Sequence, residues 1–551
     1  MADMTMEGGR PPYPSRDPVS APAQATATTR IAEHAQPGGR VVIAGTRSGC
    51  GKTTVTVAAI AALTARGLPV TSFKCGPDYI DPMFHRAALG VPAHNLDPFF
   101  SDARALRDAV AAGTVGRIGV IEGVMGYYDG LGATTRASTF EVAAATGTPA
   151  VLVMDADGMA ASAGAVIQGF AGYRRPSRLR GVIVNRATPG TYASIEPLIR
   201  QAGLVPLGFL PCHESVAWPS RRLGLVAADE IVRLGDTIAT LARLAEEHLD
   251  LDALVGLAAS APPLLLPAAE PAEKNSGPLS CSHGDGSPGL VDCLPHVERD
   301  GPQEPSPYPL DVGSGGLAVR IAVARDEAFC FLYAETLELW ERLGAELVFF
   351  SPLHDMRLPQ TDALYLPGGY PENHAATLSA NVSMRETIKT RIREGLPTIA
   401  ECGGFLYLHD DIDGHPMASV IHGHAFSTPR LQRFGYITLT ATSDSLLARA
   451  GDTFPAHEFH YYDSTANGDA FTATKASTGK VYPCAHATLT LYAGFPHLYL
   501  PAVPQAAERF LDAARLAQSH GDGSIGPTAQ RDDAAKTRPM EPSPWLPKAA
   551  S

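Results

Sequence analysis

Short apolar runs punctuate the first part of the chain at intervals: VVIA at 41–44, VTSF at 70–73, IGVI at 118–121, AVLVM at 150–154, GVIV at 181–184 and LVPLGFL at 204–210. Stretches with helical periodicity lie between them. Strands this apolar leave no solvated face, so they belong in a parallel sheet covered by helices on both sides. A helical stretch, TIATLARLAEEHLDLDALVGL, follows, and then residues 261–316 turn to Pro, Gly and Ser. The alternation resumes at Val319 with VRIAVAR, a helix near 331–343, ELVFF, ALYLP and PTIA. The expectation is an α/β protein with two domains, at 39–260 and 317–517. A disordered tail (1–38), a low-complexity linker (261–316) and a low-complexity tail (518–551) surround them. The 551 residues exceed what one core supports. SHGDGS at 282–287 returns at 519–524, and EPSPY at 304–308 returns as EPSPW at 541–545 with the same separation. Linker sequence is thus duplicated on both flanks of the second domain.

The net charge of −13 argues against nucleic acid or an acidic membrane surface as partner, though a pocket can still be locally basic. No apolar run approaches the roughly 18 residues of a membrane span. The N-terminus has no secretory h-region. Eight cysteines without CxxC or zinc spacing read as reduced thiols in the cytoplasm. The expected partner is a small molecule, and a homodimer is compatible with the sequence.

GTRSGCGKTT, starting at Gly45, follows the first apolar run and opens a helical pattern. Glycines let successive backbone N–H groups converge on phosphate oxygens at a helix N-terminus. Gly49, Gly51, Lys52, Thr53 and Thr54 form the firm part of this cradle. Lys52 would reach the β/γ-phosphates of ATP and the Thr53 hydroxyl would ligate Mg²⁺. Thr46 stands where the first glycine of the usual spacing is expected, with Gly45 one residue earlier. KCGPDYIDP, from Lys74, follows the second run, at the strand end where α/β folds keep their sites. There Lys74 can neutralise phosphate and Asp78 can hold metal, while Asp81 before a proline reads equally as a turn. Glu122 ends the third run, and Asp129 follows in the same loop. Asn185, ending GVIVNR, would serve either adenine or a cap. Three acids and a lysine beside a phosphate loop suit ATP-Mg²⁺, held by Thr53, Asp78 and Glu122, and a carboxylate acceptor.

In LPTIAECGGFLYL an apolar strand runs into a tight turn carrying Cys402, two glycines and a helical pattern. Such an elbow exposes a nucleophile at a helix N-terminus, where a thiol pKa is expected to fall. Upstream, Gly368 and Gly369 in LPGGYPE would supply oxyanion donors.

GTRSGCGKTTVT, FKCGPDYIDPMFH, NLD (95–97), VIEGVMGYYDG and VIVNR together resemble the cobyrinate a,c-diamide synthase family. LPGGYPE and AECGGFLYL resemble its class I glutamine amidotransferase domain. The resemblance implies a dethiobiotin-synthetase-like first domain that activates a carboxylate with ATP, and a second domain that takes ammonia from L-glutamine. The family's acidic positions match Asp78, Glu122 and Asp129, and its nucleophile matches Cys402. The activating histidine is carried over to His497 in LYAGFPHLYL. The usual class I glutamate two residues on is Tyr499 here, which leaves the orienting group open. AHEFHYYD matches a family stretch, so His457 and His460 compete with His497. The family's PERHLGL is PSRRLGL at 219–225. The implied substrate is cobyrinate, a polycarboxylate corrin amidated at its a and c side chains, with Lys74, Arg136, Arg186 and Arg221 as candidates to meet its charge. The alternatives are hydrogenobyrinate, a nickel-sirohydrochlorin or the cobyric acid synthase reaction. From another class comes a partition-type ATPase, which carries a lysine where this chain has Arg47 and has no use for Cys402.

Overall fold

The computed structural model describes residues 38–213, 228–264 and 318–521. The expected N-terminal tail, all but the start of the expected linker, Arg221 with its PSRRLGL stretch, and the sequence after 521 lie outside the described residues. Of the duplicated sequence, only 519–521 is described, at the end of the last helix.

Seven parallel strands form the first sheet: β1 (Arg40–Gly45), β2 (Val70–Cys75), β3 (Ala93–Leu96), β4 (Ile118–Glu122), β5 (Ala150–Asp155), β6 (Leu179–Asn185) and β7 (Val205–Leu210), in the order β3-β2-β4-β1-β5-β6-β7. Six are the apolar runs. The seventh, β3, reads AHNL and breaks the apolar pattern. It pairs on one side only, along β2, so its sequence need not resemble a central strand. Helix α1 (Lys52–Ala65) buries most of its length in an Ala- and Val-rich face. The helical stretch before the linker is two helices, Ala228–His248 and Leu251–Ala259. Between them Asp250 Oδ1 accepts the Ala253 N–H at 2.8 Å, which caps the second. The start of the expected linker packs onto this half: Pro262 O accepts from Arg40 at 2.7 Å and Leu264 is buried.

The second half is built on β8 (Val319–Ala324), β9 (Phe329–Phe331), β10 (Ala345–Phe350), β11 (Ala363–Leu366), β12 (Gly368–Gly369) and β13 (Thr398–Glu401). Strands β10-β8-β11-β13 continue into Leu491–Gly494 and the antiparallel edge His486–Ala487. A five-stranded sheet containing Arg433–Ala441, Thr453–His460 and His497–Leu498 shares a core with it, in which Ile321, Val323 and Ile399 meet Ile437, Leu439 and Phe454. RFGYITLTA buries Ile437, Leu439 and Ala441 in alternation. That period-two pattern marks an antiparallel strand with one solvated face, which continuous apolar runs do not reveal.

The halves meet through a buried aromatic cluster of Tyr79, Phe100, Phe331, Tyr333 and Tyr499. The Asn95 N–H donates to Glu335 at 2.7 Å, and the Tyr436 hydroxyl donates to Asp97 at 2.8 Å.

Candidate functional site: a phosphate cradle and a nucleophile elbow

β1 delivers the chain into a loop whose Gly49 and Gly51 have φ of 74° and 96°. A Cβ on Gly51 would lie 1.9 Å from Asn185 Nδ2. That amide donates to Cys50 O at 3.0 Å, so Asn185 clamps the cradle from below. Lys52, on the first turn of α1, donates to Arg47 O at 3.2 Å and to Met125 O. Thr54 follows on the same turn.

Behind the loop the acids converge on one buried ammonium. Lys74 Nζ lies 2.5 Å from Asp81, 2.9 Å from Glu122 and 3.8 Å from Asp78. Thr53 Oγ1 donates to Glu122 Oε1 at 2.7 Å. Burial opposes charge on Lys74, but the surrounding carboxylates outweigh it and raise its pKa. Burial and the charge of Asp81 push Asp78 up to about 6 and raise Glu122 as well. Asp81 is thus a full member of the cluster, and the turn reading missed this. His85, one turn further along its helix, brings Nε2 to 3.4 Å from Glu122 Oε2. Asp129 is used differently: its Oδ2 accepts the Gly126 N–H at 3.0 Å and shapes the loop over Lys52. Arg186 pairs with Asp155, and so does Arg47 at 2.9 Å; both line the rim of the cradle.

Among the described residues no three His, Cys, Asp or Glu side chains are arranged to hold a metal ion by themselves. Glu122 Oε2 is nonetheless buried without a hydrogen-bond partner. Thr53, Glu122 and Asp78 offer only oxygen donors. That sparse set fits Mg²⁺, which takes one or two carboxylates and completes its shell with phosphates and water.

Cys402 follows β13 directly, with φ 46° and ψ −100°, and begins the helix Gly403–Tyr407. Such a conformation for a non-glycine residue stores strain at a nucleophile turn. A Cβ on Gly404 would meet Leu366 O at 2.1 Å, and one on Gly403 would meet Gly369 N at 2.9 Å. Both glycines are therefore needed for the elbow to seat against the end of β11 and β12. On the other side of β12, a Cβ on Gly368 would meet His497 Cε1 at 2.4 Å. Cys402, the Gly368–Gly369 turn and His497 thus gather at one place.

The expected drop in the thiol pKa is not found. Burial, followed by the carboxylate of Glu372, pushes Cys402 up, and the Gly403 N–H offsets only part of this. Taking a thiolate out of water costs more than a short helix returns. Burial and then His457 and His460 lower His497 to about 3. The resting pair is a neutral thiol and a neutral imidazole.

Tyr499 does not orient His497; it stacks on Phe100, with centroids 5.2 Å apart, in the aromatic wall. The nearby carboxylate is Glu401, the residue before the nucleophile. Its Oε2 is 3.9 Å from His497 Nδ1, which has no hydrogen-bond partner. Glu401 is anchored by the Leu498 N–H at 3.2 Å and the Tyr365 hydroxyl at 3.1 Å. Burial raises it to about 8. The sequence signal was the glutamate in AECGG, placed by strand and elbow beside the histidine. His460 stacks on Phe495 at 3.8 Å, and His457 faces His497 across the strand pair.

Tyr79, next to Asp78, has its ring centroid 5.2 Å from that of His497. One side chain therefore borders both sites.

Comparison with known proteins agrees with this geometry. Residues 41–226 match the CobQ/CobB/MinD/ParA nucleotide binding domain, and residues 320–499 match the CobB/CobQ-like glutamine amidotransferase domain. Hydrogenobyrinate a,c-diamide synthase of Streptomyces coelicolor is 37% identical over 86% of this chain and 97% of its own length. The enzyme of the same name from Thermobifida fusca is 36% identical over 86% and 96%. Cobyrinate a,c-diamide synthase of Salmonella typhimurium is 34% identical over 86% and 98%. With its two sites and near full-length similarity, the chain belongs to the cobyrinate and hydrogenobyrinate a,c-diamide synthase family.

Proposed function

We propose that this chain uses ATP and glutamine to amidate the a and c side-chain carboxylates of cobyrinate in cobalamin biosynthesis. The observation that carries the reading is the single chain in which Tyr79, the residue after Asp78 of the acid cluster, packs its ring against His497 beside the strained Cys402 elbow. Residues 39–260 form the amidation domain and 317–517 the glutaminase domain, joined by the 261–316 linker.

The cradle of Gly49, Gly51 and Lys52 holds the triphosphate. A substrate carboxylate oxygen attacks the γ-phosphorus, ADP leaves, and an acyl phosphate forms. Lys74 offsets charge on the transferring group, while Asp78, Asp81 and Glu122 keep it positioned. Mg²⁺, held by Thr53, Glu122 and Asp78, neutralises charge on the phosphates when bound. Asp129 shapes the loop that closes over Lys52.

In the second half, His497 takes the proton from Cys402 as sulfur attacks the glutamine side-chain carbonyl. The Gly368–Gly369 turn stabilises the oxyanion. His497 returns the proton to the leaving nitrogen, ammonia departs, and water hydrolyses the thioester to glutamate. Ammonia passes along the aromatic wall beside Tyr79 and attacks the acyl carbon, expelling phosphate. Because the resting pair is neutral and burial favours the protonated form of Glu401, Glu401 matters through its position: it orients His497 as the imidazolium forms. Glu401→Gln keeps the acceptor for the Leu498 N–H. Its glutamine-dependent kcat should fall about tenfold or more, with ammonium-dependent synthesis unchanged. Parallel rate measurements with the two nitrogen sources check this, and an unaltered glutamine-dependent kcat would remove Glu401 from the mechanism.

None of the described helices is long and apolar enough to cross a membrane. The described cysteines are all free, which suits a cytoplasmic enzyme. The relatives' names divide between hydrogenobyrinate and cobyrinate, so cobalt is the point of difference to test. Mass spectrometry of each acceptor incubated with ATP, Mg²⁺ and glutamine decides it. Two successive mass steps, each converting –OH to –NH₂, are expected with cobyrinate. Unaltered cobyrinate would overturn the assignment, and product from hydrogenobyrinate alone would transfer it to the metal-free ring.

A further inference from the structure

The strand pair Arg433–Ala441 and Thr453–His460 carries a row of rings that the chemistry above does not use. Tyr436 pairs with His457 and Phe434 with Phe459 in the ladder, so these four side chains share one face. At the inner end Tyr436 stacks on Phe99 with centroids 4.4 Å apart and bonds Asp97 at the mouth of the amidation domain. At the outer end Phe434 and Phe459 lie 5.7 Å apart, and Tyr461 continues the row at 6.0 Å. These outer rings are 54%, 42% and 53% exposed. Beside Tyr436 at the inner end, His457 is buried and its Nδ1 has no hydrogen-bond partner. Arg136 lies over Phe99, 5.8 Å from its centroid, and makes no ion pair among the described residues.

We propose that this aromatic ledge seats the flat conjugated ring of the polycarboxylate substrate, with Arg136 and His457 meeting its side chains at the end nearest the acid cluster. The inference rests on the amidation reading and adds to it where the ring lies. Three features point to a ring rather than a second copy of the chain. The ledge is continuous with the amidation site through Tyr436. Arg136, with no ion pair among the described residues, stands at that same end, matching an anionic ligand. A buried imidazole nitrogen without a partner sits along the row. The exposed rings stand edge to face, Phe434 and Phe459 at 76° and Phe459 and Tyr461 at 90°, so a broad π-system would meet some by the face and others by the edge, both favoured aromatic geometries.

The test is the Phe434→Ala/Phe459→Ala double variant, compared with Phe434→Trp/Phe459→Trp. Steady-state KM values are measured for the corrinoid, ATP and glutamine, with sedimentation to follow the oligomeric state. Loss of two stacking partners should raise the corrinoid KM roughly tenfold or more, while the KM for ATP and for glutamine stays put. The tryptophan pair should restore it. An unchanged corrinoid KM would overturn the proposal, as would a change of oligomeric state with the corrinoid KM intact, which would make the face a subunit contact. A loss that tryptophan does not restore would also overturn it. The wild-type enzyme in the same assay reports separately on the amidation reading, which fails only if no amide forms at all.

Discussion

Cys402→Ala should lose glutamine-dependent amidation by roughly a thousandfold or more, as expected when a covalent nucleophile is removed. Synthesis from high ammonium, at a pH where free ammonia is present, should persist. In the proposed mechanism the thiol serves only to liberate ammonia, and the acid cluster assigned to the acyl phosphate lies across the aromatic wall. His497→Ala should show the same split, smaller by the difference between losing a base and losing the nucleophile. The ring packs against Gly368, so the variant is also checked for an unchanged ammonium-dependent rate. If His457→Ala or His460→Ala loses the glutamine-dependent rate while His497→Ala keeps it, the base is a different histidine. Failure of Cys402→Ala with ammonium as well would mean that the strained elbow supports the fold rather than the chemistry. Tyr499→Phe should be mild, since that ring packs on Phe100 and Tyr333.

Lys52→Ala should abolish amidation with either nitrogen source, by roughly a hundredfold or more, because phosphoryl transfer precedes ammonia attack in both. The side chain is already pinned between the carbonyls of Arg47 and Met125, so its ammonium is positioned before phosphate arrives. Glu122→Gln should behave similarly. It removes a charge on which Thr53, Lys74 and His85 all converge. Parallel assays of ADP release and amide formation check both variants, and full ammonium-dependent synthesis by Lys52→Ala would contradict the ATP assignment.

How much of this was legible in the sequence differs by element. The phosphate cradle was, because glycines, Lys52 and Thr53 act through local backbone and need only a strand before them and a helix after. The Cys402 elbow was legible for the same reason. Asp81 was hidden by a local rival: an acid before proline reads as a turn, and only the fold of the chain from β2 into the next helix brings it back onto Lys74. Glu401 was hidden because its partner is 96 positions away, at the start of a two-residue strand. The expected fall in thiol pKa failed because burial is a tertiary quantity that a motif does not carry. The antiparallel sheet with its aromatic ledge was missed because its strands alternate rather than run apolar.

The central claim is that nitrogen freed at Cys402 is delivered to the acyl phosphate inside one molecule. The most direct measurement gives the enzyme glutamine labelled with ¹⁵N in its side-chain amide, in the presence of unlabelled ammonium below the level that supports synthesis by Cys402→Ala. Mass spectrometry then reads the isotope in the diamide. The account predicts ¹⁵N at both new amides. Product carrying ¹⁴N from the bulk would contradict it.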